Sequence, residues 1–504
     1  MLTNQLIPLL FAVVCASAHQ LQQPEQPVVQ TTSGKIHGVV ESSVKQFLGI
    51  PYARPPVDEL RWEPPQPLSS EARKLNVSAT QLPPSCPQNP IGLAIFNKDI
   101  PQYQIQGYDS SDATSEDCLT LNVWSPTTKS SRLYPVVVFI YGGHFTTGSN
   151  NVPYQIPAQW VERTQSHIVV SFNYRVNLFG FPNAPGLSQQ NVGLLDQRAA
   201  VEWVFKNIAA FGGDPSRITL WGQSAGAASV DFYNFAYHND SIVSALIMDS
   251  GSSYTPAIIE DPAHSNFTYM ASQLGCGNIT TPASKMLSCM RKLNVAMLEK
   301  FLLDHKSTTP SIAFLPVADE KVAFSNYTQR AIDGFQAELP AIIGGNAQDG
   351  VPFAPYNPSG VNTTVALYEN LVNFFCPQTQ TIKSRQLAGL PTYRYYYHGN
   401  FSNISPRGWE GAYHCAELPM IMGTHNNYRG AGSALEDATS IAMQDAYLAF
   451  AAHGTEGLVK ENWQPYSELG EPTVRAFGDG IPAKNINLTH LEELCVGYRP
   501  VFSI

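Results

Sequence analysis

Residues 211–226 read FGGDPSRITLWGQSAG, and this stretch decides the fold. Ile218, Thr219, Leu220 and Trp221 form a short β-branched and apolar run, the composition of a strand. Gly222-Gln223-Ser224-Ala225-Gly226 follows at once, a G-x-S-x-G turn with a serine at its apex. A strand-to-helix turn this tight brings the backbone close to its neighbours, so a Cβ at either glycine would clash. The turn lifts the Ser224 hydroxyl above the end of a sheet, where a base can reach it. Residues 227–236, AASVDFYNFA, continue as the helix behind it. A lone pentapeptide of this kind turns up by chance in roughly one 500-residue chain in six. Its meaning comes from the strand before it, the helix after it and the partners downstream.

Working outward, residues 135–141 (PVVVFIY, closed by Gly142-Gly143) and 168–173 (IVVSFN) are continuous apolar runs. Such runs suit strands buried on both faces of a largely parallel sheet. Residues 245–248, 341–343 and 393–397 predict further strands. Residues 191–208 carry Leu194, Leu195, Ala199, Val201, Trp203 and Val204 at helical spacing. Near the start, a Gln/Pro-rich lead-in (20–30) precedes an alternating stretch (28–40) and a strand (47–52) that ends in a proline-rich loop. Residues 255–340 read as a mostly helical insertion. Strands alternating with helices mean an α/β fold with crossover connections, a large and mostly parallel central sheet flanked by helices. Ligands in such sheets bind at the carboxyl ends of the strands, where the elbow serine sits by construction. No repeat, linker or domain boundary is visible, so residues 19–504 read as one domain.

Composition narrows the class. The chain has 504 residues, 43% of them hydrophobic, enough for a full core. A net charge of −10 without a basic run argues against nucleic-acid partners. A charged fraction of only 14% and 23 tyrosines suit a neutral-faced exported protein. Residues 1–18 read as a signal peptide: an apolar core from Leu6 to Cys15, then Ala16-Ser17-Ala18 as a small-x-small cleavage site. That core is too short to span a bilayer, and no other segment reads as a stable membrane anchor. Without Cys15, seven cysteines remain (Cys86, Cys118, Cys276, Cys289, Cys376, Cys415, Cys495), an odd number that predicts three bridges and one free thiol. Nine N-glycosylation sequons fit the same compartment and predict exposed loops: Asn76, Asn239, Asn266, Asn278, Asn326, Asn362, Asn400, Asn403 and Asn487.

A serine hydroxyl needs a base to take its proton, and the base needs a third group to hold its tautomer. In this architecture the order is serine, acid, histidine. Asp349 lies in GGNAQDG just past a predicted strand, and His414 follows in GAYHCAELP. On spacing alone His167, His398 and His425 compete for the base, and Asp196, Asp249 and Glu417 for the acid. The chemistry calls for no metal and no cofactor, only a small-molecule substrate.

Residues 211–226 together with SEDCLTLNVW (115–124) resemble the two signatures of type-B carboxylesterases, the family of cholinesterases, bile-salt-activated lipase and secreted fungal lipases. NVGLLDQRAAVEWV (191–204) and FLGIPYARPPV (47–57) are also similar to family segments. The resemblance implies the α/β-hydrolase fold and ester hydrolysis through an acyl-enzyme. It implies Ser224 as nucleophile, Asp349 as acid and His414 as base, with Gly143, His144 and Ala225 donating backbone N–H groups to the oxyanion. Disulfides follow as Cys86–Cys118, Cys276–Cys289 and Cys376–Cys495, leaving Cys415 as the free, inert thiol. The first loop, residues 87–117, is a lid in related lipases. Here it holds an apolar patch (Ile91, Leu93, Ile95, Phe96) and an acidic end (Asp109, Asp112, Glu116, Asp117).

The chain departs from the family pattern at four positions. His144 stands for a third glycine, Gln223 for a glutamate, Cys415 for a glycine and Asp349 for a glutamate. The lid loop has Tyr103 and Tyr108 but no Trp, and Gln223 removes a carboxylate, which together predict poor turnover of choline esters. The expected activity is a secreted carboxylic ester hydrolase of the carboxylesterase or lipase type, acting on neutral esters. Acyl transfer or tailoring of a secreted metabolite by the same triad is the alternative, motivated by His144 and Gln223. A non-catalytic adhesion role is disfavoured because Ser224 is present.

Overall fold

Among the described residues, eleven strands lie side by side in one sheet. Across its width they run Ala483–Ile486, Val474–Phe477, Thr392–Tyr397, Ala341–Asn346, Ala245–Asp249, Gly213–Gln223, Tyr134–Ile140, Ile168–Phe172, Thr120–Pro126, Val44–Pro51 and Val39–Glu41. Every pair from Val474–Phe477 to Ile168–Phe172 is parallel, and the pairs toward both edges are antiparallel. The computed structural model describes residues 26–498 except 109, 111–112, 241, 306–311 and 468–472. The expected signal peptide, Asp109 and Asp112 lie outside the described residues.

The central strands are apolar because both faces are covered. Val136, Val137, Val138 and Phe139 are fully buried, as are Ile168, Val169 and Val170. Helix Ala225–Ala236 packs on the strands Gly213–Gln223 and Ala245–Asp249, and helix Ala434–His453 on Tyr134–Ile140 and Gly213–Gln223. The inserted region folds as helices Ser265–Gln273, Ala283–Arg291, Val295–Asp304 and Tyr327–Ile332. The first three gather Phe267, Met270, Met286, Met290 and Phe301 with Trp62 into an apolar cluster of their own.

Several expectations change in detail. The elbow strand begins five residues earlier than its apolar run, and its helix begins at Ala225, not residue 227. Ser224 turns the chain alone, at φ 57° and ψ −123°, so no residue separates turn from helix. Strand Thr120–Pro126 was hidden in the sequence because Asn122 and Ser125 interrupt its apolar run. Both are buried and satisfied: Asn122 accepts from Gly49 N at 2.8 Å and donates to Asn150 O at 3.1 Å, and Ser125 donates to Phe211 O at 3.0 Å.

Disulfides join Cys86 to Cys118, Cys276 to Cys289 and Cys376 to Cys495. Cys415 is free and buried. Two sequons depart from the expected exposure: Asn403 is buried, with its amide donating to His425 O at 2.9 Å, so a folded chain has no room for a glycan there. Asn266 is half-buried and donates to Ala313 O at 2.8 Å. The other seven are exposed.

Candidate active site

Three strands deliver the site at their carboxyl ends. Gly213–Gln223 ends at Ser224, Tyr134–Ile140 leads into Gly142-Gly143-His144, and Ala341–Asn346 leads to Asp349. The glycines of the elbow are required by close approach. A Cβ on Gly226 would overlap the Ile140 carbonyl oxygen, and one on Gly222 would overlap the Gly226 carbonyl. The Ser224 amide donates to Asp249 O at 2.8 Å, which ties the serine's backbone to the neighbouring strand.

Asp349 and His414, 65 residues apart in sequence, meet here. His414 Nδ1 lies 2.9 Å from Asp349 Oδ1, with both residues buried. Asp349 Oδ2 accepts from Ser250 Oγ at 2.9 Å and from the Asn346 amide at 2.7 Å. The imidazole ring is clasped by Phe374 and Phe353, with centroids at 4.4 and 5.4 Å. His414 Nε2, the nitrogen that would face a nucleophile, lies 3.4 Å from Gln223 Nε2. Among the described residues, no hydrogen bond joins it to the Ser224 hydroxyl. Ser224 is half-buried, open enough to be reached.

The loop Gly142–His144 abuts the serine. A Cβ on Gly142 would sit 2.7 Å from Ser224 Cβ. Gly143 has φ 108°, and a side chain there would run into Thr147 O. The Gly143 carbonyl accepts from the amides of Thr146 and Thr147, each at 3.0 Å. Its own N–H and that of His144 donate to no protein group among the described residues. Ala225 opens its helix, so its N–H also lacks an intrahelical acceptor. His144 keeps φ 54° although it is not glycine, and Cys415 does the same at φ 79°. With Phe145, Ser224 and Ser250 they make five non-glycine residues in the left-handed region around one site, a concentration typical of functional centres. The His144 side chain is open to solvent yet surrounded by protein, as in the wall of a recess, and that partial desolvation lowers its pKa.

Other candidates go elsewhere. His167 is packed on Trp160 and bonded to Thr164, and burial drives its pKa down to about 3. His425 pairs with Asp437 at 3.0 Å, and His398 stacks edge-on against Tyr396. Asp196 is locked to Arg175 by two bonds of 2.7 Å. Asp249 and Glu417 lie behind the site. Asp249 accepts from Trp221 Nε1 at 2.5 Å and Tyr447 OH at 2.8 Å, and burial still pushes its carboxyl up to about 7. Burial raises the Glu417 carboxyl as well, and Glu417 is bonded to Asn346, the residue whose amide holds Asp349. Composition gave no sign of this buried carboxyl group pair. The Cys415 thiol, likewise raised by burial, is held in its inert protonated form.

The loop between Cys86 and Cys118 packs against the loop that carries His414 and is tied down. Its short helix Ala94–Lys98 buries Ile95 and Phe96. Tyr103 donates to the Cys415 carbonyl at 2.5 Å, next to the histidine. Arg429 donates to Asp99 O at 2.6 Å and to Gln102 at 2.8 Å, while Tyr356 and Arg407 hold the Asp99 carboxylate at 2.9 and 3.0 Å.

A mostly parallel sheet with an elbow serine at the carboxyl end of a central strand defines an α/β-hydrolase. The family model described as the carboxylesterase family matches residues 25–373, and this chain belongs to that family. It is 45% identical over 459 residues to the chlorogenic acid esterase of Aspergillus niger, covering 89% of this chain and 87% of that protein. Secreted lipase 5 of Gibberella zeae is 39% identical over 84% of each chain. The cholinesterase of Mus musculus is 30% identical over 96% of this chain and 78% of its own length. The chain is therefore a carboxylic ester hydrolase.

Proposed function

We propose that this enzyme is a secreted serine esterase that cleaves neutral esters of water-soluble size through an acyl-enzyme. Ser224 attacks the ester carbonyl while His414 takes its proton, and Asp349 holds the imidazole and stabilises the imidazolium. The carbonyl oxygen becomes negative as the carbon turns tetrahedral, and the amides of Gly143, His144 and Ala225 take that charge. His414 returns the proton to the leaving alcohol, and a water repeats the sequence to free the acid.

The observation that carries this reading is the 2.9 Å pair between His414 Nδ1 and buried Asp349, beside an elbow serine at φ 57°. The tied lid supports soluble esters over an emulsion surface, because docking to an interface would need the Arg429 and Asp99 contacts to break. The name of the Aspergillus niger relative makes chlorogenic acid the first natural ester to assay, and choline esters are expected to be poor substrates. The same reading takes residues 1–18 as a leader removed on export and 19–504 as one domain. Three disulfides and the Gibberella zeae relative's name favour export.

The test is a fluorophosphonate label followed by peptide mapping, run beside p-nitrophenyl esters of increasing chain length. Label on any residue except Ser224 would overturn the mechanism. A rate peak at long, emulsified chains would overturn the preference for soluble esters.

A further inference from the structure

We infer that Gln223 is a positioning residue for the base: its side-chain amide occupies the reactive nitrogen of His414 in the resting enzyme, in place of the Ser224 hydroxyl. This rests on the proposed triad.

The tautomer follows from the contacts. Asp349 Oδ2 already accepts from Ser250 and Asn346, so the carboxylate acts as an acceptor and His414 Nδ1, 2.9 Å from Oδ1, is the donor. A neutral imidazole then presents a lone pair at Nε2. The group facing that lone pair, at 3.4 Å, is the Gln223 NH2, which can only donate. Reversing the amide would set its oxygen lone pairs against the lone pair of Nε2, so the NH2 end is the one that faces His414. Gln223 is 1% exposed, so the amide is fixed by packing and not by water.

A donor at this point has a chemical consequence. It stabilises the neutral base and opposes the imidazolium, whose Nε2–H would point at two other N–H bonds. Substrate binding must therefore draw His414 from Gln223 toward Ser224. A glutamate in the same place would accept from the imidazolium and favour it. Gln223 thus favours the uncharged imidazole, the form able to accept the Ser224 proton. The other titratable groups near the pair are Asp349 itself, the Cys415 thiol on the histidine's own loop, Asp249 and Glu417 behind Asp349, and His144 on the glycine loop beside Gln223. All are unchanged in the variants below.

The experiment is the pH dependence of fluorophosphonate inactivation of the full chain as wild type, Gln223→Met and Gln223→Glu. The midpoint of the acid limb is expected to rise in that order, with the glutamate variant about one to two pH units above wild type. A purely structural role would lower the plateau rate in the variants and leave the midpoint unmoved, and that result overturns the inference. If the glutamate variant fails to fold, an unmoved midpoint in Gln223→Met is sufficient to overturn it. Wild-type label away from Ser224 overturns the triad and this inference together. Label on Ser224 with an unmoved limb overturns this inference alone.

Discussion

Two histidines sit on loops beside the same serine, and they are held in opposite ways. His414 is buried, bonded through Nδ1 to Asp349 and clasped between Phe353 and Phe374. His144 opens to solvent, makes no hydrogen bond among the described residues, and sits at a backbone angle that glycine adopts more readily. The first is over-determined by its surroundings. The second is positioned only by its backbone. A site built this way fixes its proton chemistry and leaves one wall to answer to the substrate.

Each side of the comparison can be broken in turn. The largest effect belongs to the fixed side. Ser224→Ala, His414→Ala and Asp349→Asn should each lower kcat by about 10⁴- to 10⁶-fold, and double variants should lose little more, because the groups act as a unit. Additive losses on steady-state esters would break that unity. Next comes the backbone of the open side. Gly143→Ala forces a methyl against Thr147 and should lower kcat by about 10²- to 10³-fold with KM little changed, the signature of a lost oxyanion donor. The His144 ring should matter less: His144→Gly is expected to change kcat/KM by about 10-fold or less, unevenly along an acyl series. A uniform loss along the series would mean that the ring supports the loop and does not contact substrate.

The smallest effect on activity is expected from Asp249→Asn, whose readout is stability. Burial moves this carboxyl from 3.8 up to about 7 in the folded chain. Between those values the folded chain keeps a proton that the unfolded chain has released. Stability from this group therefore falls as pH climbs from about 4 to about 7, then levels off. The wild-type Tm should decline across that window relative to the variant. Parallel Tm curves would show that Asp249 does not hold the proton.

The sheet was legible where its strands are uninterrupted, as at residues 135–141 and 168–173. It was illegible at Thr120–Pro126, where Asn122 and Ser125 look like loop residues until their buried partners are seen. At the site, elbow chemistry and chain order suggested Ser224, Asp349 and His414 but left three rival histidines and three rival acids, and only the family resemblance chose among them. It marked Gln223 as unusual but not what it touches, since the contact with His414 spans 191 residues and depends on a side-chain torsion. Asp249 and Glu417 were weighed only as rival acids, because a buried proton leaves no mark in composition. Asn403 failed as an exposed sequon for a related reason: a tripeptide motif carries no information about the carbonyl of His425 that claims its amide.

The bond from Tyr103 to the Cys415 carbonyl has a consequence for how this enzyme can be changed. Lids are attractive segments to exchange between relatives when a different substrate size is wanted. Here the segment also props the loop that carries His414, so a graft would replace part of that loop's scaffolding as well. A chimera that keeps Tyr103 should inherit new selectivity, whereas one that drops it should lose turnover before selectivity can be measured. The two segments are one structural unit and should be exchanged together.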